Sequence, residues 1–320
     1  MGSLRLILAL SVLSLIAQAQ QPAPVTVPAA TASEADTTPL PDTRQLLLDV
    51  ERNEKAAEAV RKKYTYHVHF EQQELNGKGD AKKLTSIDSE SITVDSVRVN
   101  RTVARDGRAL TADEQAKESE RIDKEVAKDK ARRDKKEGKG QDTDSRGDDI
   151  ISAARILELG AFTHPRRIDL NGRATIVLDY AGDPNAKTHN SFEGVVRDLV
   201  GTVWIDEKDR VLVQAQGHFL KDFKIGAGLV ADVRKDSSFS AHWAHINDEV
   251  WLPTVVDGQG KVRILLVTGF TGRIHLVTSD YRKFRTTSTI VAGGYQVDAE
   301  GNPISSAAKP DVPKSTPPKL

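Results

Sequence analysis

Hydrophobic and polar residues alternate without a break over residues 64–71, YTYHVHFE. Tyr64, Tyr66, Val68 and Phe70 fall on one side, and Thr65, His67, His69 and Glu71 on the other. A period of two predicts a half-buried β-strand. Immediately upstream the period changes to that of a helix. Leu46, Val50, Ala57 and Val60 share one face of residues 42–63, leaving Glu51, Arg52, Glu54, Arg61 and Lys62 to face water. Asp42 is placed to cap this helix, with Gln45 where a capping box puts Glu or Gln. Each element has an apolar side that has to be buried against something.

Further strands are predicted over 84–89, 91–97 and 98–105. The β pattern then stops. Residues 117–139 are mostly charged, and Asp113/Lys117, Glu120/Lys124 and Asp129/Arg133 can pair one helical turn apart. Only Ala112, Ala116, Ile122 and Val126 offer apolar support, so a long, mostly solvated helix is predicted, running into a Gly-containing loop at 138–147. A second helix is expected over 149–159, with Asp148 as N-cap and Gly160 as its stop.

From residue 162 strands dominate. Residues 166–170 and 174–180 flank Asn171-Gly172, a strong hairpin signal. A short helical or irregular segment is expected at 192–200. The run GTVWIDEKDRVLV, residues 201–213, holds two apolar stretches about the polar turn Asp206-Glu207-Lys208-Asp209. Strands follow at 210–219, 237–246, 249–255, 262–267 and 273–284, with turns at Asp257-Gly258 and Thr271-Gly272. Together these predict an antiparallel meander.

The ends of the chain change the picture of compartment. One basic residue, Arg5, precedes an apolar run at 6–16, and Ala17-Gln18-Ala19 has the small-x-small form of a signal-peptidase site. The run is shorter than the roughly 20 residues a membrane span needs. The expected organisation is a signal peptide at 1–19, a disordered Pro/Ala/Thr-rich linker at 20–41, one domain at 42–298 and a Pro-rich tail at 299–320. The protein is therefore expected to be exported, to the periplasm or beyond. Among the 320 residues 46 are Lys or Arg and 46 are Asp or Glu, a formal net charge of zero that gives no global attraction to nucleic acid. There is no cysteine, which removes disulfides, thiolate chemistry and a lipid-modified N-terminal cysteine together.

No motif singles out a catalytic centre. Residues 225–231, IGAGLVA, match the Gly-x-Gly-x-x-Ala dinucleotide fingerprint through Gly226, Gly228 and Ala231, but no helix of sufficient length follows. His67 and His69 share a strand face at a spacing that could chelate a metal, yet no downstream ligands stand at a recognisable spacing. His242 and His245 are expected on opposite faces. Arg146-Gly147-Asp148 spells an adhesion tripeptide that arises often by chance. Trp204, Trp243 and Trp251 lie in or beside strands and are expected to pack core or line a cavity. A paired-carboxylate hydrolase stays open, because acidic residues are plentiful and no pair stands out. No cofactor and no metal are expected.

The Gly-x-Val-Trp-Ile-Asp hairpin at 201–206, VWLPT at 250–254 and SDYRKF at 279–284, with the export signal and the amphipathic helix before the first strand, resemble the lipoprotein-carrier superfamily. This group includes LolA-like and outer-membrane lipoprotein-sorting-like periplasmic proteins. The resemblance spans about residues 43–290 and implies an α+β fold: a strongly curved antiparallel sheet, an incomplete barrel, with helices covering its concave face. The charged stretch at 110–147 would be a helical insertion into it. The resemblance implies non-catalytic binding of a hydrophobic small molecule or lipoprotein acyl chain, with peripheral membrane association. The residues expected to form an apolar cavity between sheet and helix are Leu46, Val50, Tyr64, Tyr66, Val68 and Phe70. If those faces close fully they make only a core, and the protein is then an exported structural or interaction protein.

Overall fold

The computed structural model describes residues 38–76, 78, 80–137, 152–225, 231–235, 237–264, 269–283, 289–290 and 296–297. The expected signal peptide, the 138–151 segment with its adhesion tripeptide, Gly226, Gly228 and the Pro-rich tail lie outside the described residues.

Helix α1 spans Thr43–Arg61, capped by Asp42, whose side chain accepts from the Gln45 backbone N–H at 2.8 Å. Gln45 turns forward to Asp49 instead of back to the cap, so the capping box stays open. Leu46 and Val50 are buried as expected, but so are Glu54 and Arg61, which were expected to face water. Glu54 lies one further helical turn along the Leu46/Val50 stripe, and Arg61 supplies its counter-ion from the same helix.

Strand β1 follows at Tyr64–Leu75, then β2 at Ala81–Val94, β3 at Val97–Arg105 and β4 at Arg108–Ala109. The first three expected strands after β1 are two in fact. Asp95 and Ser96 both take positive φ, 47° and 64°, the geometry of a tight hairpin turn without the usual Asn-Gly.

Helix α2, Ala112–Glu137, is largely exposed, as its composition demands, yet it is docked. Ile122 and Val126 close a cluster with Ile92, Val94, Val97 and Val99 of β2 and β3. Ala112 and Ala116 are exposed and give no support. Polar contacts fix the helix instead: Glu118 accepts from the Thr102 N–H at 2.7 Å and pairs with Arg121, which also donates to the Asn100 carbonyl. Ile122→Ala is accordingly expected to cost about 2 kcal/mol. Urea unfolding measures it, and a loss near zero would show that the helix is held by its polar contacts alone.

Helix α3 is Ala153–Leu159, capped by Ser152 rather than Asp148, and it runs through extended Gly160 into β5, Gly160–Leu170. Strand β6, Arg173–Gly182, follows the Asn171-Gly172 turn, where both residues have positive φ. Helix α4 is Ser191–Arg197. The remaining strands are β7 Leu199–Asp206, β8 Val211–Phe219, β9 Phe223–Ile225, β10 Ala231–Val233, β11 Ser238–Ile246, β12 Val250–Ile264, β13 Gly269–Lys283, β14 Thr289–Ile290 and β15 Gln296–Val297. Asp257-Gly258 and Thr271-Gly272 are not turns. They lie inside β12 and β13, where pairing with neighbouring strands keeps them extended.

Thirteen of the strands form one open antiparallel sheet, whose main path runs β4-β3-β2-β1-β13-β12-β11-β8-β7-β6-β5 and ends at β4 and β5, with β10 added to β12 and β9 to β10; β14 and β15 pair separately. Strand β1 pairs with β13, joining the first meander to the last long strand. Bulges interrupt the register in β5, β8, β12 and β13, among other places, and each bends and twists its strand. No helix among the described residues is long and apolar enough to cross a membrane.

Candidate functional site

The sheet register allows single rows of side chains to be followed across the fold. Phe70, Leu276, Val256, Ala241, Ala215, Val203 and Leu178 stand opposite one another, strand by strand, from β1 to β6. This first face packs against α1, α3 and α4 in one core with Leu46, Val50, Leu159 and Val195. Shifting by a single residue in every strand gives Glu71, His275, Asp257, Ser240, Gln216, Thr202 and Asp179, also in register. Side chains alternate across a strand, so this entirely polar row lies on the second face.

A cavity of about 800 Å³ opens on the second face. The polar row contributes Asp257, Ser240, Gln216, Thr202 and Asp179 to it. The neighbouring second-face row contributes Arg273, Gln259, Ser238, His218, Val200 and Ala181. Gly258, Gly217 and Gly201 lie between the two rows and also border the cavity. At Gly201 the backbones approach so closely that an added Cβ would sit 2.2 Å from the Gln216 carbonyl oxygen.

Most of the charge in this cavity is already matched. Arg166 holds Asp179 through two contacts of 3.2 Å, and Thr202 donates to the same carboxylate at 3.1 Å. Arg166 thereby keeps Asp179 below the ordinary carboxylate range. His275 stands 2.7 Å from Asp257, whose hydrogen bond raises the imidazole above its ordinary value. Further along the same face His69 is raised by its 2.7 Å contact with Asp88, while burial lowers His242.

Ser240, Asp257 and His275 adjoin one another, but the carboxylate and not the imidazole stands next to the serine, so the Ser-His-Asp order of a triad is not formed. Asp179 and Asp257 are four strands apart, a sheet path of about 19 Å. Glycoside hydrolysis needs carboxyl groups about 5 to 9.5 Å apart. Among the described residues no group of three His, Asp or Glu could hold a metal ion; His67 and His69 instead share Asp88.

None of the six residues expected to line an apolar cavity borders this one. Leu46, Val50 and Phe70 meet in the main core, at 1%, 8% and 8% exposure. Tyr64 is sealed in a separate cluster with Val250 and Leu252, its hydroxyl donating to Glu249 at 2.8 Å. Tyr66 rests against Tyr281 with the Arg98 guanidinium 5.4 Å from its ring, and Val68 is buried. The polar strand positions that do line the cavity carry no motif; only their alternation with core residues marks them.

The histidines give a direct check on this geometry. NMR titration is expected to place His69 and His275 above 6.5 and His242 below it. The first two pairs then add stability below pH 6.5 that fades as pH rises through their folded values, whereas neutral His242 adds stability above pH 6.5 that is lost on acidification. A normal value for His275 would show that it does not face Asp257.

No protein-family model matches the chain, and no curated protein matches it. Among solved structures, the chain is similar to a LolA superfamily protein from Nitrosomonas europaea at 9% identity, over 73% of this chain and 93% of that one, with a TM-score of 0.25. It is similar to a DUF1329 family protein from Desulfovibrio piger at 8% identity, over 74% and 94%, with a TM-score of 0.23. A third is MucB in complex with MucA(peri), at 8% identity over 75% and 98% and a TM-score of 0.20.

Proposed function

We propose that the protein is an exported, non-catalytic binding protein that takes an amphipathic ligand, a lipid or the lipid-bearing end of a lipoprotein, in the open cavity of the second face. The observation that carries this reading is the one-residue offset between the apolar row and the polar one. The apolar row is committed to the core, whereas most of the polar row borders the cavity. The space between sheet and helices is occupied by Leu46, Val50 and Phe70 themselves, so an acyl chain could enter there only by displacing them. Val200 and Ala181 add apolar surface at the β6–β7 end, beside Asp179 and Thr202, to a cavity rich in hydrogen-bonding groups, a mixture that suits an amphiphile better than a bare hydrocarbon.

Native mass spectrometry of protein from an exporting host, followed by lipid extraction, tests the proposal. The wild type is expected to carry an amphiphile, and Ser240→Trp, which fills the cavity from the second face, is expected to lose it while melting within about 3 °C of wild type. Equal retention by both proteins would place the ligand elsewhere. A wild type that carries nothing would favour a structural or interaction protein with a filled core.

A further inference from the structure

We propose that the ligand of this cavity is an anion and that Arg273 is the residue that selects it; this rests on the binding reading above. Arg273 lies on β13 in the cavity wall, half-buried. Its partners in register are Gln259 and Gln73, both neutral, and no ion pair or side-chain hydrogen bond joins its guanidinium to a described residue. Arginines at the far end of the sheet, on β5 and β6, are matched: Arg166 by Asp179, Arg167 by Glu207 and Arg173 by Asp206. The carboxylates that border the cavity are matched as well, Asp179 by Arg166 and Asp257 by His275. A half-buried arginine whose register neighbours are two neutral glutamines has no counter-ion among the described residues. An entering carboxylate or phosphate can accept its parallel N–H donors in a bidentate pair.

Position adds orientation. Along one row, Arg273 stands at one end, Val200 and Ala181 at the other, with Gln259, Ser238 and His218 between. Val200 and Arg273 are four strands apart, about 19 Å along the sheet. An extended amphiphile would therefore lie across the strands, its anionic head on β13 and its apolar end on β6 and β7.

The probes are dansyl-aminoundecanoic acid and its methyl ester, which share a tail and differ in charge, titrated by dansyl fluorescence against the full chain. Wild type is expected to bind the acid about tenfold more tightly than the ester, in line with the worth of a charge-assisted bidentate contact. Arg273→Gln is expected to bring the acid-to-ester affinity ratio close to one, and Arg273→Lys to restore part of the preference. Equal binding of acid and ester by wild type, displaced by Ser240→Trp, would overturn the anion proposal and leave the binding reading standing. Binding of neither probe, or binding that Ser240→Trp does not affect, would remove both.

Discussion

Replacing Asp206 by alanine is expected to cost about 3 kcal/mol, among the largest losses from any single polar side chain in this fold. Asp206 is 1% exposed at the tip of the β7–β8 hairpin. Burial opposes its ionisation, but Arg173 and the backbone N–H groups of Asp209 and Lys208 outweigh burial and hold the carboxyl below its ordinary range. The same arginine reaches Asp209 at 2.7 Å and lies 5.3 Å from the Trp251 ring, while the Trp251 indole donates to Asp209 at 2.9 Å. Asn53 of α1 donates to the Asp209 carbonyl at 2.9 Å. This turn thus ties together β6, β12 and α1. Asp206→Ala removes the buried acceptor and leaves its donors unmatched, whereas Asp206→Asn keeps the shape and part of the bonding and is expected to lose less. The folded pKa of Asp206 is depressed, so its contribution is present above the ordinary carboxylate range and disappears as pH falls through the folded value. Urea unfolding of both variants at neutral pH, and again under acid conditions that protonate the carboxyl, checks the size and the sign. Equal stability of Asp206→Ala and wild type at neutral pH would show that the turn is held by backbone bonds alone.

Gly201→Ala is expected to be at least as damaging, about 3 kcal/mol or more, for a reason unrelated to charge. The added Cβ would lie 2.2 Å from the Gln216 carbonyl oxygen and 3.0 Å from Gly217 Cα, and backbone cannot rotate aside as a side chain can. Relief requires β7 and β8 to part, with loss of their ladder bonds and of the core packing of Val203 and Phe219. Gly194 is the control: it lies in α4 with nothing within 4 Å of an added Cβ, so Gly194→Ala is expected to raise stability by up to about 1 kcal/mol. Thermal melts of the two variants side by side should move in opposite directions, and a neutral Gly201→Ala would refute the close approach.

How much of this was legible in the sequence depends on the kind of signal each residue carries. The α1 stripe, the alternation of β1, the Asn171-Gly172 turn and the β7–β8 hairpin follow from period and turn chemistry, and all of them form. The breaks at Asp257-Gly258 and Thr271-Gly272 did not form, because local turn preference is overridden where neighbouring strands pair with the segment. Glu54 and Arg61 went unread as buried because charge outweighed their place on the apolar stripe, and only the fold shows that each supplies the other's partner. The candidate cavity was the least legible part. The sequence marks the apolar face, and the cavity lies on the other one, where Thr202, Gln216, Ser240 and Asp257 are ordinary solvent-side strand residues until the register brings them into one row.

Val200 and Val203 lie on the same strand and point to opposite faces, the first toward the cavity and the second into the core. Methyl NMR of the full chain with dansyl-aminoundecanoic acid therefore tests the placement of the ligand most directly. Shifts at the Val200 methyls that saturate with the probe, with Val203, Leu178, Leu46 and Val50 unmoved, are the expected result. Saturable shifts at Leu46, Val50 and Val203 with Val200 unchanged would put the ligand between sheet and helices and contradict it.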